Sequence, residues 1–309
     1  MDILCLGILV ADIIGQRVKR WPEKGKLELI DRVELHSGGC AANTAIDLAK
    51  LGLKVGLAGK LGNDPLGDFL LKTYRKYDLD IRGVRRANKM GTSATLVMVD
   101  SNGERSFLHA PGANKEFSLK DIDRSLLTNC KILHIAGSFL LPKLDGQPIA
   151  RIFQEAKKRK IITSLDTVWD AQGRWLKLIA PVFPYLDFFL PNLEEAKMIT
   201  GQRNPEKIAN KLLGLGVKTV ALKMGKKGCY VANRKCIVTR PAYQIKPVDT
   251  TGAGDAFAAG FLFGVIKGWP LAKIVPFANA VGTMACLALG ATDRVTSFRE
   301  TIRFIKSLI

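Results

Sequence analysis

Hydrophobic and polar positions follow two patterns along this chain, and the first predicts a parallel β-sheet. Nearly continuous apolar runs occupy residues 3–10, 131–136, 161–165 and 217–222, and such runs are typical of strands buried on both faces. Between them, apolar residues recur every three or four positions, which predicts amphipathic helices. These strand–helix units show no linker or break in composition. We therefore expect one domain over residues 1–309, a three-layer α/β/α sandwich around a mostly parallel sheet.

The second pattern is an alternation of apolar and polar residues. It covers residues 27–36, 95–99 and 105–110 and predicts strands with one exposed face. The last two segments, joined by residues 100–103 (DSNG), are predicted to form a hairpin. Together these strands would make a small sheet with an exposed apolar face. Such a face has to be covered, so association of two copies of the chain is an expectation.

Composition narrows the class of protein further. A hydrophobic content of 47% and a mean hydropathy of +0.09 indicate a globular chain. No apolar run is long enough for a membrane span, and the first residues lack the pattern of a signal peptide. The six cysteines are scattered, without CxxC pairs or histidine partners. This favours reduced thiols and a cytoplasmic location.

The formal net charge of +19 is the one unusual bulk property. Nucleic-acid binding, attraction of anionic substrates and a lysine-rich surface would each account for it. The basic residues form short clusters such as residues 157–160, and there is no long basic run and no nucleic-acid motif. A solvated basic surface is the simplest interpretation, and we expect neither nucleic acid nor a membrane as a partner.

The strongest candidate for chemistry is the stretch 248–262, VDTTGAGDAFAAGFL. Gly252, Ala253 and Gly254 form a bend without side-chain bulk, and an alanine-rich helix follows. A glycine turn that opens a helix leaves unpaired N–H groups at the positive end of the helix dipole, where a phosphoryl group can bind. Asp255 lies in the first turn, where a base that accepts a hydroxyl proton is needed. Taken alone, a GxGD pattern favours a plain chain turn with an acidic helix start.

Polar residues at the ends of other predicted elements are candidate ligand contacts. Asp12 follows the first apolar run, at the end of a strand, where ligands bind in open α/β sheets; a turn residue is the alternative. Gly38 and Gly39 precede an alanine-rich helix that carries Asn43, and they allow a ligand to approach the backbone closely. The alternative is a helix start with a buried asparagine. Ser138 follows a later strand, where turn chemistry explains it equally well.

Two further segments suit a nucleotide and its metal ion. Asn192 and Glu195 are three residues apart at a predicted helix start, which suits an outer-shell role toward Mg²⁺ or a capping box. Lys223, Gly225 and Gly228 form a tight turn with a lysine at its edge, which suits a triphosphate but occurs in many hairpins. The turn lacks the GxxxxGK[ST] pattern of a Walker A loop.

Two stretches together resemble the signatures of a known family. Residues 248–262 and residues 38–52, GGCAANTAIDLAKLG, are similar to the C-terminal and N-terminal signatures of the ribokinase (PfkB) family of carbohydrate kinases. The resemblance covers essentially the whole chain. It implies a ribokinase-like fold with a small β-sheet lid formed by segments at about residues 13–36 and 92–110, and a homodimer that assembles through the lid.

The resemblance also implies a role for each candidate residue. Asp255 would be the catalytic base, with Gly252, Ala253 and Gly254 as the anion hole. The acceptor would contact Asp12, Gly38, Gly39, Asn43 and Ser138; ATP would contact Asn192, Lys223, Gly225, Gly228 and Asn279; Mg²⁺ would lie near Asn192 and Glu195, through water; and a monovalent cation such as K⁺ would lie near Asp249 and Thr251, with Gly290 and Thr292.

The implied activity is transfer of the γ-phosphoryl group of ATP to a primary hydroxyl of a sugar or polyol, of the fructose, 2-keto-3-deoxygluconate, ribose or inositol type. Residues 166–175, DTVWDAQGRW, resemble the longer loop of sugar-acid and fructose kinases, which argues against ribose. A nucleoside kinase of the same fold is an alternative, with Phe107 and Phe139 as candidates for an aromatic wall. A non-catalytic sugar- or nucleic-acid-binding regulator is the alternative of another class, and an intact base and anion hole argue against it.

Overall fold

A computed structural model describes residues 1–18, 22–100 and 104–307 of the chain. Its strands are β1 (Ile3–Gly7), β2 (Val10–Gln16), β3 (Arg32–Gly38), β4 (Val55–Gly62), β5 (Asp80–Ala87), β6 (Ala94–Val99), β7 (Arg105–Ala110), β8 (Ile132–Ser138), β9 (Ile162–Thr167), β10 (Phe188–Phe189), β11 (Thr219–Lys223), β12 (Cys229–Asn233) and β13 (Ile237–Arg240). Its α-helices are α1 (Cys40–Lys50), α2 (Pro65–Lys76), α3 (Gln147–Lys158), α4 (Trp175–Ile179), α5 (Leu193–Thr200), α6 (Pro205–Gly214), α7 (Ala253–Ile266), α8 (Leu271–Ala285) and α9 (Phe298–Ser307).

A nine-stranded sheet forms the centre of the molecule, in the order β13-β12-β11-β10-β9-β8-β1-β4-β5. The strands from β11 to β5 run parallel, and the edge pair β12 and β13 is antiparallel. The predicted mostly parallel sheet is confirmed. The antiparallel strand β13 at the edge was not predicted, because its residues are largely exposed and give no buried apolar run.

Helices cover both faces of this sheet, and the central strand shows why. Along β1, Leu4 and Leu6 pack into one hydrophobic cluster, with side chains of α3, α5 and α6. Ile3 and Cys5 pack into a second cluster, with side chains of α1, α7 and α8. Successive side chains of a strand point to opposite faces, so a run that is apolar at every position needs cover on both sides. The predicted three layers are therefore confirmed.

The first apolar run, residues 3–10, is two strands and not the single strand that was predicted. β1 ends at Gly7, and Val10 already belongs to β2 in a different sheet. At the break, the amide of Leu9 donates to the side chain of Asn114 (3.3 Å), which donates back to the Leu9 carbonyl (3.0 Å). A buried backbone group needs such a partner where it leaves a sheet, and an asparagine more than a hundred residues away supplies it.

The second, four-stranded sheet has the order β3-β2-β6-β7 and is called the lid sheet below. β6 and β7 form the predicted antiparallel hairpin, whose turn residues 101–103 lie outside the described residues. The predicted strand at 27–36 is wrong in its first half, because β3 begins at Arg32, and Leu27 and Leu29 are exposed and outside any strand. Alternation alone does not show whether a neighbouring strand is present to pair with.

The strand register gives the lid sheet two different faces. Asp12 lies opposite Thr95, which lies opposite His109, in one row across β2, β6 and β7. The next row, one residue along each strand, contains Leu35, Leu96 and Leu108, each exposed. One face thus carries this polar row beside the buried apolar side chains of Ile14, Val97 and Val99, and the other face exposes a row of leucines. Within the described ranges, no helix is long and apolar enough to cross a membrane.

Candidate active site

Two cavities meet at the start of α7. The larger, ≈ 1080 Å³, lies between the lid sheet and the ends of the central strands, and we call it the lid cavity. The smaller, ≈ 340 Å³, lies beside the β11–β12 hairpin and α8, and we call it the hairpin cavity. Gly252 and Asp255 line the lid cavity, whereas Ala253 and Gly254 line the hairpin cavity. One short turn therefore separates the two spaces and faces both.

The turn before α7 has the conformation that its glycines permit. Gly252 has a φ of 75°, the left-handed region, and a Cβ there would lie 2.4 Å from the carbonyl oxygen of Ala291. A side chain at this position is excluded by conformation and by space. Among the described hydrogen bonds, none involves the amides of Gly254 or Asp255. Free amides at a helix N-terminus can bind an anion, so this turn suits the predicted anion hole, which stays a prediction.

Asp255 is buried, and its carboxylate faces the lid cavity. Its Oδ2 atom accepts a hydrogen bond from Asn43 Nδ2 (2.8 Å), and its carbonyl accepts one from Thr44 Oγ1 (3.3 Å). Both partners lie on α1, so α1 and α7 together hold this residue. Burial raises the pKa of Asp255 above its ordinary value, and the hydrogen bond from Asn43 opposes the shift. A carboxylate with a raised pKa is a better proton acceptor.

Asp12 lies in the polar row of the lid sheet, together with Thr95 and His109, and also lines the lid cavity. A Cβ on Gly38 would lie 1.9 Å from Asp12 Oδ2, so Gly38 makes room for this carboxylate. Burial raises the pKa of Asp12 to about 6, against a hydrogen bond with Thr95. Gly39 and Asn43 line the same cavity. The structure thus brings Asp12 and Asn43 to the same space as Asp255, from three different elements.

Lys223 lies on the other side of the turn, at the wall of the hairpin cavity. Its Nζ atom donates to both carboxylate oxygens of Asp166 (2.8 and 2.6 Å). A Cβ on Gly254 would lie 3.2 Å from this Nζ, so the ammonium lies beside the glycine turn. Burial opposes the charge, but Asp166 and Glu195 raise the pKa of Lys223. Lys223 therefore stays charged. Gly225 and Gly228 line the same cavity, and their contact with a nucleotide stays a prediction.

This arrangement places a buried carboxylate and free amides between two cavities. The model of the pfkB family carbohydrate kinases matches residues 1–297. The chain belongs to the pfkB family of carbohydrate kinases. It is 29% identical to an ATP-dependent 6-phosphofructokinase of Thermoanaerobacterium thermosaccharolyticum over 94% of this chain and 89% of that one. It is 26% identical to a 2-dehydro-3-deoxygluconokinase of Bacillus subtilis, over 92% and 91%.

A solved structure agrees as well. The ribokinase of Thermotoga maritima superposes on 99% of this chain, and on 99% of its own, with a TM-score of 0.84 at 28% identity. The resemblance that the two signature motifs suggested is confirmed, and so is the ribokinase-like fold. The protein is an ATP-dependent sugar kinase of the pfkB family.

The residues predicted for Mg²⁺ in this kinase fit an ion held through water. The Glu195 carboxylate accepts hydrogen bonds from Thr167 Oγ1 (2.9 Å), from Asn192 Nδ2 (2.6 Å) and from the Asn192 amide (3.2 Å). Asn192 and Glu195 also form a capping box, so that interpretation is confirmed, and their outer-shell role toward Mg²⁺ stays a prediction. No group of three or more acidic, histidine or cysteine ligands occurs in the part of the chain that is described. Mg²⁺ brought with ATP would therefore rely on phosphate oxygens and water.

The residues predicted for a monovalent cation do not fit one in this arrangement. Arg105, on lid strand β7, forms an ion pair with Asp249 and donates to the hydroxyl of Thr251. The Asp249 carboxylate also accepts the amides of Thr251 (2.6 Å) and Gly290 (2.9 Å). Burial alone would raise the pKa of Asp249, but these hydrogen bonds hold it below its ordinary value. A guanidinium already provides the positive charge here, so we derive no step through K⁺.

Some of the residues predicted to contact a ligand already contact other residues of the protein. Ser138 is buried, is not part of either cavity wall, and donates its hydroxyl to Asp145 (2.9 Å); its predicted acceptor contact is not supported. Asn279 lines the hairpin cavity, but its amide donates to the Pro241 carbonyl (2.6 Å). Phe139, proposed for an aromatic wall, is buried and packs on Trp175 with ring centroids 5.5 Å apart.

Sequence reasoning missed several residues of the two cavities. Trp169 is 54% exposed and lines the lid cavity together with Thr95 and Arg105. Tyr243 lines the hairpin cavity, in a stretch without helix or strand. The alternation that predicted the strands of Thr95 and Arg105 shows which residues share a face, but not which face meets the site. For Trp169 a signal was available, since residues 166–175 resemble the longer loop of sugar-acid and fructose kinases, but no role was assigned to the side chain.

Proposed function

We propose that this kinase transfers the γ-phosphoryl group of ATP from the hairpin cavity to a primary hydroxyl of a sugar or polyol in the lid cavity. The acceptor oxygen bonds to the γ-phosphorus, and the bond from that phosphorus to the β,γ-bridging oxygen breaks, releasing ADP. The hydroxyl proton passes to Asp255.

The cytoplasm is the expected location of this kinase. Free thiols persist in a reducing compartment, and all six cysteines are free.

The observation that carries this proposal is the division of one turn between two cavities. The Asp255 carboxylate faces the lid cavity, and the backbone of Gly254, one residue earlier, faces the hairpin cavity. A hydroxyl beside Asp255 and a phosphoryl group beside the free amides would be in line across the helix start. Such positioning with electrostatic stabilisation supplies most of the rate of phosphoryl transfer. Lys223 would stabilise the negative charge of the triphosphate. Mg²⁺, when bound with ATP, would neutralise part of that charge.

The test is the substitution Asp255→Asn. The amide keeps the shape and the contact with Asn43 but cannot take the proton, so we expect turnover to fall about 10³-fold. Affinity for ATP and for the acceptor, measured by calorimetry, should change by less than threefold. Asp68→Asn is the matched control, since Asp68 is also acidic in a first helical turn, that of α2, but is exposed. Full turnover in Asp255→Asn would remove the base from this proposal.

A nucleoside is the second candidate acceptor, and one observation favours it. Trp169 and Phe107 both line the lid cavity and are both more than half exposed, at 54% and 56%. Exposed aromatic rings stack well on a nucleobase, and they also pack on the C–H faces of a sugar. Turnover of adenosine or cytidine that is lost in Trp169→Ala, with turnover of free sugars retained, would favour the nucleoside.

The apolar face of the lid sheet supports a homodimer. Leu35, Leu96 and Leu108 lie side by side across three strands and are 39%, 46% and 49% exposed. Burying such a row against a second copy would remove apolar surface from water. We expect the double change Leu96→Glu with Leu108→Glu to give monomers in size-exclusion chromatography with light scattering. Leu215→Glu, at an exposed leucine outside the lid, is the control. A monomeric native chain would contradict the dimer.

A further inference from the structure

One exposed aromatic side chain of the lid cavity is carried by the central sheet and not by the lid. Trp169 lies in the loop after strand β9, lines the lid cavity and is 54% exposed. Phe107, which is exposed as well, belongs to lid strand β7. A large ring with a free face at a ligand cavity is a candidate contact for the ligand. What Trp169 can do there depends on how firmly its ring is held.

The ring of Trp169 packs on two further rings that are buried. Trp169 lies edge to face on Trp175, with centroids 4.9 Å apart, and Trp175 lies edge to face on Phe139, at 5.5 Å. Trp175 and Phe139 both have positive φ angles, 34° and 86°. Such angles are rare for bulky residues and occur where a local conformation serves a site. We call Phe139, Trp175 and Trp169 the ring row, which leads from the core to the cavity.

A buried carboxylate fixes the loop that carries the ring row. Asp170 accepts the amides of Arg174 (2.5 Å) and Trp175 (3.0 Å). It also accepts a hydrogen bond from Arg174 Nη2 (2.9 Å), and the same guanidinium donates to the Phe139 carbonyl (3.1 Å). Burial alone would raise the pKa of Asp170, but these hydrogen bonds hold it below its ordinary value. Asp170 therefore stays ionised at neutral pH and joins the residue after Trp169 to both buried rings.

We propose that Trp169 is a fixed platform on which the acceptor packs an apolar face, and that Asp170 and Arg174 position it. The apolar face is the C–H surface of a sugar or polyol, or the face of a nucleobase. A ring that is already held in place loses little freedom when a ligand binds, so the platform should lower KM for the acceptor. The described walls of the hairpin cavity contain none of these three residues, so ATP should be unaffected. This inference rests on the proposed function, since it names specificity residues of the same site.

The first experiment observes Trp169 directly and needs no turnover. Fluorotryptophan is incorporated at all four tryptophans, and Trp169→Phe and Trp269→Phe assign two of the signals in fluorine NMR. Trp269 is the reference, because it packs on Phe263 and Phe277 and is not among the described residues of either cavity wall. The probes are fructose, fructose 6-phosphate, 2-keto-3-deoxygluconate, ribose, myo-inositol, adenosine and cytidine, each added alone.

We expect at least one of these compounds to shift the Trp169 signal and to leave the Trp269 signal in place. A shift with a sugar or polyol would assign the platform to the C–H surface of that compound, and a shift with the nucleosides alone would assign it to the base. No shift of the Trp169 signal with any of the compounds would overturn the inference.

The second experiment tests the positioning of the ring. In Asp170→Ala the Trp169 signal of the free protein should move toward its place in the urea-unfolded chain. KM for the acceptor should rise about fivefold, with KM for ATP within about twofold. Arg174→Gln, at a half-buried side chain, is the milder variant and should act in the same direction. In Trp169→Ala, KM for the acceptor should rise about tenfold, and in Trp169→Phe, which keeps a flat ring, less than about threefold.

Asp187→Ala is the matched control. It also removes a buried carboxylate, one that pairs with Lys157 and Lys218, but it lies before β10 at the amino-terminal end of the central strands, away from both cavities. It should lower stability without moving the Trp169 signal or either KM. A Trp169 signal that stays in place in both Asp170→Ala and Arg174→Gln would overturn the positioning. Equal rises in both KM values would show a general structural role and would overturn it too.

Failure of the proposed function has a different signature. In that case none of the compounds would be phosphorylated, whatever the Trp169 signal does. A compound that shifts this signal without being phosphorylated would support the platform as a binding site and would contradict the kinase activity at this site.

Discussion

The two cavities on either side of the α7 start are lined by side chains of opposite charge. The walls of the hairpin cavity carry two lysines and no carboxylate among their described residues, and those of the lid cavity carry five carboxylates and one paired arginine. A phosphoryl transfer joins a highly charged donor to an acceptor that must give up a proton. The donor needs positive charge and free amides, and the acceptor needs a base. The difference places each requirement on its own side of one turn.

The contrast also extends to how each side is held. Lys223 is fixed by Asp166, on the neighbouring part of the central sheet, so the donor side is anchored in the core. Asp12 and Arg105 belong to the lid sheet, so half of the acceptor side is carried by a separate layer. Changes on the donor side should therefore affect chemistry most, and changes on the lid should affect acceptor binding most.

After Asp255→Asn, the largest effect is expected from Lys223→Met. It removes the charge beside the glycine turn, and we expect kcat to fall roughly 10²- to 10³-fold. It also leaves the buried Asp166 unpaired, which should cost about 3 kcal/mol of the free energy of unfolding. The double variant Lys223→Met with Asp166→Asn should recover stability, measured by urea unfolding, and not activity. Recovery of kcat in the double variant would show that Lys223 acts only through packing.

An intermediate effect is expected from pH. Burial raises the pKa of Asp12 to about 6, so Asp12 is ionised above that pH and becomes neutral as the pH falls through it. An ionised carboxylate accepts stronger hydrogen bonds from hydroxyl groups than a neutral carboxyl group does. Affinity for the acceptor, measured by calorimetry on Asp255→Asn, should therefore fall about tenfold between pH 8 and pH 5. Asp12→Asn should bind weakly and without this dependence. A flat profile in the presence of Asp12 would contradict its role.

The smallest effect is expected from Arg105→Gln. This change breaks the link between lid strand β7 and Asp249, while the walls of the hairpin cavity stay intact. We expect KM for the acceptor to rise several-fold, because the lid is held less firmly over the site, and KM for ATP to stay within about twofold. Equal rises in both constants would show that Arg105 acts on the catalytic turn as a whole and not on the lid.

Much of the site could be predicted from the sequence because its motifs are local. Gly252, Ala253, Gly254 and Asp255 are consecutive, so their positions relative to one another are fixed by the conformation of a single turn and by helix geometry. The layers of the central sheet were likewise predictable, since a strand such as β1, apolar at every position, must be covered on both faces. Local patterns carry this information without any knowledge of distant contacts.

The misjudged residues depend on partners outside their own strand or turn. Ser138 suited a ligand contact because it lies at a strand end, but its hydroxyl donates a hydrogen bond to Asp145. Asp249 and Thr251 suited a cation, but the partner that reaches them is Arg105, about 146 residues earlier in the chain. The pattern of a strand predicts its faces and not the element that packs on each face, so neither pairing was visible.

The sequence by itself determined the mostly parallel strand–helix architecture, the family and the position of Asp255 beside the amides of its turn, because each depends on residues close together along the chain. The tertiary structure decided which charges line each cavity and which partners lie beside them. That depends on ion pairs between distant segments, Arg105 with Asp249 and Lys223 with Asp166. The partners beside a charged group set its protonation state and its field, and pairing of that kind exists only once the chain is folded.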